Sequence, residues 1–195
     1  MYLILRRCAL ETWIEGDGVM LRKYYSKNNH LQPFFEEVNK YVDGIHTLNN
    51  GINLEDITSL QNELNIQIPD IYKDFVQVCN GGELFIPGTV LSEIHTAAGG
   101  PKQRGGSYLN DSFKNERRPT KMPDTYLIIA DLNYGDSICI DLESSNGYDA
   151  TVIQWDRETH SVSRSWNGLV EWLMDTLDEG SLLVDYDGNE KDLDF

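Results

Sequence analysis

Apolar and polar positions follow a long period in the first half of this chain and a short one in the second. From Pro33, the residues Phe34, Phe35, Val38, Tyr41 and Val42 recur every three or four positions, the spacing of one helix face, and Gly44 is placed to end that helix. Beyond Asn53, a residue type that caps, Ile57, Leu60 and Leu64 repeat the spacing, with Glu55 and Asp56 at the positive end of the dipole. A third helix is predicted with Pro69 at its first position, where the missing N–H costs nothing; Ile68, Ile71, Tyr72, Phe75, Val76 and Cys79 form its buried stripe. The period then shortens. "ELFI", "TVLSEI", "TYLIIA", "SICIDL", "ATVIQW" and "HSVSRS" read as short strands, the last at an edge, with turns at Pro87-Gly88, Asn133-Tyr134-Gly135-Asp136 and Asn146-Gly147. Ser165 is predicted to cap a closing helix whose stripe is Trp166, Leu169, Val170, Leu173 and Leu177.

The junction between the two periods is Asn80-Gly81-Gly82. Gly81 is predicted to take the left-handed conformation just past a helix end, and Gly82 to turn the chain into the following strand. Glycines that cradle phosphate precede a helix and offer free N–H groups; these follow one, so they are structural. Three segments lie outside the regular pattern. Residues 1–30 form an N-terminal extension that reads as two short strands around Glu15-Gly16-Asp17-Gly18. A Gly-rich loop over 96–121 carries six cations against Asp111 and Glu116, a net of +4, and loops of this length are usually functional or mobile. Residues 178–195 hold seven acids and one lysine and read as a mobile or loosely docked acidic tail.

Charge narrows the function. A net of −16 over 195 residues repels phosphate backbones, disfavours direct nucleic-acid binding and attracts basic partners. A hydrophobic content of 40% is enough for one substantial core. Cys8, Cys79 and Cys139 are isolated, odd in number and flanked by apolar residues, which points to core thiols in a reducing compartment. "MYLIL" is too short for a signal sequence or a membrane span, so a soluble cytoplasmic protein with no membrane association is expected.

Catalytic chemistry does not assemble. GxSxG, HExxH and GxGxxG are missing, and "GPKQRGGS" has Gly106 where a phosphate loop needs its lysine. His30, His46, His95 and His160 stand singly, without a second ligand at metal spacing. Asp131, Asn133 and Asp136 start like a calcium loop, but its closing position falls on Leu142; Asp185, Asp187 and Asn189 start another, and the sequence ends before a closing glutamate. Asp136 and Asp141 are five residues apart and would face opposite sides of a regular strand, a poor acid–base pair. No enzyme, no cofactor and no metal is expected.

The ordered set of these features resembles the SUKH superfamily, which includes fungal regulators of cell-wall glucan synthesis and many bacterial immunity proteins. The resemblance spans about residues 34–177, and the matching domain is taken as 31–177. It rests on Ile68-Pro69, Tyr72, Asn80-Gly81-Gly82, the Gly135-Asp136 turn, Asp141, Trp155 and an aromatic-led closing helix at Trp166. It implies a single-domain α+β fold: an antiparallel meander flanked by N-terminal helices and a C-terminal helix. It also implies no enzymatic activity, and for bacterial members the binding and neutralisation of a toxin domain, often a nuclease. The alternative is an intracellular regulatory scaffold of the cell-wall type. On charge and position, the expected contact surface for a basic partner is Glu83, Asp131, Tyr134, Asp136, Trp155 and Asp156.

Overall fold

A computed structural model describes residues 12–16, 19–86, 88–94, 109 and 118–192, with side chains described from Lys23 onward. The chain folds as α+β: helices on either side of the meander in sequence flank one seven-stranded antiparallel sheet. The N-terminal hairpin pairs β1 (Thr12–Gly16) with β2 (Val19–Lys23), as the sequence predicts. Helix α1 (Gln32–Val38) buries Phe34, Phe35 and Val38. It stops well before Gly44: the chain turns at Asn39, whose side chain exchanges two hydrogen bonds with the Tyr24 backbone, 2.9 and 2.8 Å. Tyr41 is buried beyond the helix, while Val42 is exposed. Next comes β3 (His46–Leu48), which no alternation in three residues could announce.

Helix α2 (Leu54–Leu64) is capped by Asn53, whose side chain accepts from the Asp56 N–H at 2.9 Å. In α3 (Asp70–Val78), Pro69 is the cap residue rather than the first helical one. Its first N–H donors are taken from outside the helix: Asp70 donates to the Gly147 carbonyl at 3.1 Å and Ile71 to that of Tyr148 at 2.9 Å. The buried stripe includes Tyr72, which stacks with Phe75 at 6.1 Å between ring centres.

The sheet runs in chain order: β3, β4 (Gly82–Leu84), β5 (Thr89–Leu91), β6 (Tyr126–Asp131), β7 (Ser137–Asp141), β8 (Val152–Asp156) and β9 (Ser161–Trp166). Trp166 therefore ends the edge strand and does not lead the last helix. That helix, α4 (Leu169–Ser181), begins after Gly168, not at Ser165. The Leu169 N–H donates to Asp149 Oδ1 at 3.2 Å, so a carboxylate from another loop occupies the helix start. Asp178–Ser181 form the last turn of α4, and the chain beyond is part of the fold as far as Asp192. Val42 donates to the Tyr186 carbonyl at 2.9 Å, and the Tyr186 hydroxyl donates to Glu37 at 2.6 Å.

Register assigns each residue to a face. Leu48, Gly82, Leu91, Ala130, Ile138, Gln154 and Arg164 form one cross-sheet row on the helix side. Thr47, Glu83, Val90, Asp131, Ser137, Trp155 and Val162 form a row on the opposite side. One large core joins the four described helices to the first face and includes Leu84, Leu127, Ile129, Ile140, Trp172 and Leu173. A smaller cluster of Met122, Ile128, Cys139, Ile153 and Trp155 covers part of the second.

The glycine pair answers to strand spacing. Helix α3 ends with Cys79 extended, and its Val76 carbonyl accepts from the Ile52 N–H at 3.1 Å, so Gly81 is not the residue that stops it. Both glycines have positive φ, +81° and +118°. A Cβ on Gly82 would lie 2.2 Å from the Thr47 carbonyl oxygen on β3, and one on Gly81 would lie 2.4 Å from Glu93 Cγ. Asn80 holds the same junction from its side chain, accepting from the Ile94 N–H at 2.8 Å and donating to its carbonyl at 3.1 Å.

Candidate interaction groove

The helix-side face of the sheet, the β6–β7 turn and α4 enclose an open groove of about 230 Å³. Its floor is Leu84, Ile138, Gln154 and Trp166 from the helix-side face. One wall is the β6–β7 turn with Tyr134; the other is a single stripe of α4. Trp172, Asp175, Thr176, Glu179 and Gly180 recur at three- and four-residue spacing, which places them along one line of the helix, and Leu183 follows just past its end. Phe85 closes the end by packing on Gly180, where a Cβ would lie 2.2 Å from its ring.

The turn is braced from beneath. Gly135 has φ +97°, which lets the chain reverse in four residues, and Leu132 and Asp136 close it with a 2.8 Å backbone bond. Gln154, buried, donates to Asp136 Oδ2 at 2.8 Å and to the Tyr134 hydroxyl at 3.3 Å. Partial burial raises the Tyr134 pKa, so its hydroxyl stays protonated at neutral pH. The ring itself stands out of the surface, 57% exposed.

The charged part of the groove is one cation between two acids. Arg164 donates to Asp175 at 2.8 Å and to Glu179 at 2.6 Å, and its guanidinium lies 4.9 Å from the Trp166 ring centre. The Trp166 indole N–H donates to the same Asp175 oxygen at 3.0 Å. The hydrogen bond to Glu179 raises the Arg164 pKa. One positive against two negative groups leaves the groove acidic.

The expected contact residues are divided among different places. Tyr134 stands in the groove wall. Asp136 lies behind it, 9% exposed, its oxygens accepting from Gln154 and the Arg157 N–H. Trp155 is 5% exposed in the second cluster, edge-on to Tyr126 at 6.0 Å, so neither it nor Asp136 offers a contact surface. The apolar residues of both parities around Trp155 were the available signal that β7 and β8 are covered on two faces. Glu83 and Asp131 share the Trp155 side of the sheet; Glu83 accepts from the Gly88 N–H at 3.0 Å, and Asp131 from the Ser137 hydroxyl at 3.3 Å. Asp156 caps the β8–β9 turn, where the Thr159 and Glu158 N–H groups lower its pKa. Arg164, Asp175 and Glu179 were missed, because they meet only when α4 folds back across the edge strand.

Asp141 accepts from the Glu143 N–H at 3.1 Å beyond the end of β7. Among the described residues no group of three or more His, Cys, Asp or Glu side chains could hold a metal ion. Cys79 and Cys139 are both buried; the Cys79 thiol donates to the Gly81 carbonyl at 3.3 Å, and burial raises the Cys139 pKa. Cys8, His95, Pro87 and most of the basic loop lie outside the described residues. Within that loop, Leu109 is buried and donates to the Glu93 carbonyl at 2.9 Å, and Arg118 donates to the Tyr126 carbonyl at 3.0 Å. No described helix is long and apolar enough to cross a membrane.

The profile of the SMI1 / KNR4 family (SUKH-1) matches residues 51–175, from the loop before α2 to the middle of α4. The chain belongs to that family. As a SUKH-1 member it falls in a group that is in general one of non-enzymatic immunity and regulatory proteins. A crystal structure of a protein from Pseudomonas syringae pv. tomato is similar, with a TM-score of 0.56 and 16% identity. The likeness covers 76% of this chain and 99% of that one, and at this identity it concerns the fold alone. No curated protein matches the sequence.

Proposed function

We propose that this SUKH-1 chain is a cytoplasmic immunity-type protein that binds a basic toxin domain, a nuclease by the charge argument, and neutralises it without catalysis. The observation that carries the reading is the groove: an exposed aromatic wall, an acidic helix stripe and a braced turn, on a molecule of net charge −16. A nuclease must present cations to a phosphate backbone, and an acidic surface is complementary to that site. Long-range attraction brings the pair together quickly, and packing of the aromatic residues then holds it.

The direct trial is co-expression with a nuclease toxin domain, chosen from the products of neighbouring genes. Protected cells, together with a complex between the purified proteins, are the expected result. Equal killing with and without this chain rules out immunity for that pair.

A further inference from the structure

We infer that the groove between α4 and the β6–β7 turn is a receptor for an arginine side chain presented by the protein partner. The inference rests on the binding role proposed above and specifies its chemistry. The molecule itself displays what this groove accepts. Arg164 lies over the Trp166 ring at 4.9 Å with Asp175 and Glu179 at 2.8 and 2.6 Å, so a guanidinium already occupies one end of it.

Two carboxylates facing one cation have capacity for a second. Asp175 uses Oδ2 for both Arg164 and Trp166, and Glu179 uses Oε1 for Arg164. Among the described residues, Asp175 Oδ1 and Glu179 Oε2 accept no hydrogen bond, and the Glu179 side chain is 61% exposed. The two acids are four residues apart on one helix and point the same way. Across the groove, Tyr134 offers an exposed ring held by its hydroxyl, a surface against which a planar cation stacks. A planar fork that pairs with carboxylates while stacking is the property of arginine; lysine offers only a point charge. Entry of one guanidinium takes the local charge of the groove from −1 to zero. Nucleic acid, itself negative, would meet a charge of its own sign.

The test needs no knowledge of the partner. The four indole N–H signals of the ¹⁵N-labelled full chain are followed while N-acetyl-argininamide, and separately N-acetyl-lysinamide, is added at constant ionic strength. The expected result is a saturable shift of the Trp166 signal with the arginine compound, a smaller one with lysine, and no shift for Trp155 on the other side of the sheet. Glu179→Gln, a change at an exposed position, should abolish the saturation. A Trp166 signal that does not move, or moves equally with both amides, overturns the inference. With the toxin domain used in the co-expression trial, Glu179→Gln and Tyr134→Ala should each weaken binding by roughly tenfold, whereas Glu158→Gln, which removes the same charge elsewhere, should leave it nearly unchanged. If the two glutamate variants weaken binding equally, only net charge matters: the groove inference falls and the immunity reading stands. If the wild-type chain does not bind the toxin, the immunity reading falls and the amide titration alone decides the groove.

Discussion

At the scale of single residues, positive φ and close backbone approach are separable demands. Gly82 and Gly147 both have positive φ, but only Gly82 has a neighbouring backbone where a Cβ would go; Gly147 has open space. Gly147→Ala should lose about 1–2 kcal/mol, the cost of the left-handed region. Gly82→Ala should lose distinctly more in urea denaturation, because β3 must also move. Equal losses would show that strand spacing has no part in the Gly82 requirement. His46 gives a pH dependence with a definite sign. Burial lowers its pKa from 6.5 to about 4; its Nδ1 accepts from the Phe85 N–H at 3.2 Å, and the rings of Tyr41 and Phe85 lie edge-on at 4.8 and 4.6 Å. Between those two values the unfolded chain binds the extra proton and the folded chain does not. The contribution is therefore complete above about pH 6.5 and is lost as the pH falls toward 4, on the order of 3 kcal/mol in all. Carboxylates titrate in part of the same range, so the comparison is with His46→Gln: the variant should lose less stability than the wild type between pH 6.5 and 4. Parallel pH profiles would contradict the assignment.

At the scale of elements, the starts of α3 and α4 share one device: a loop from elsewhere in the chain satisfies donors that the helix cannot. The loop Asn146–Asp149 serves both, through the Gly147 and Tyr148 carbonyls at α3 and the Asp149 carboxylate at α4. The loop thereby links α3 in the first half of the chain to the sheet and to α4. Asp149→Ala should cost about 1 kcal/mol, and Ser165→Ala, the change suggested by sequence reading, should stay within about 0.5 kcal/mol. Thermal or urea midpoints distinguish them; a larger loss at Ser165 would return the cap to that residue. The same element explains why a Cβ on Gly168 would lie 2.2 Å from Asp149 Oδ2: the carboxylate sits against the backbone that it caps.

At the scale of the whole molecule, the excess of acids acts through its field. If association with the basic partner is steered by net charge, its rate should fall markedly between low and moderate salt while dissociation changes less, as stopped-flow measurements would record. An on-rate indifferent to salt would remove steering from the mechanism and leave only the groove's local contacts. The C-terminal acids are held within that field: Tyr186 joins Glu37 and lies 4.9 Å from the Tyr41 ring centre, so Leu182–Asp192 add their charge to a fixed region of the surface.

The class of fold, the order of its helices and of strands β4 to β9, and the turns at Gly135 and Gly147 follow from the sequence by itself, because they depend on interactions within a few residues: apolar period, capping oxygen, tolerance of positive φ. The family likeness is legible for the same reason, since its marks are local. Contacts between residues far apart in the chain were not legible. Trp155 and Asp136 have the chemistry of contact residues, yet register and covering side chains enclose them. Arg164, Asp175 and Glu179 look like ordinary surface charges until α4 returns across β9 and sets them around one groove. A short-range pattern specifies which element a residue joins; which residues face one another, and which remain open to a partner, is decided only when the sheet closes its register and the last helix packs on it.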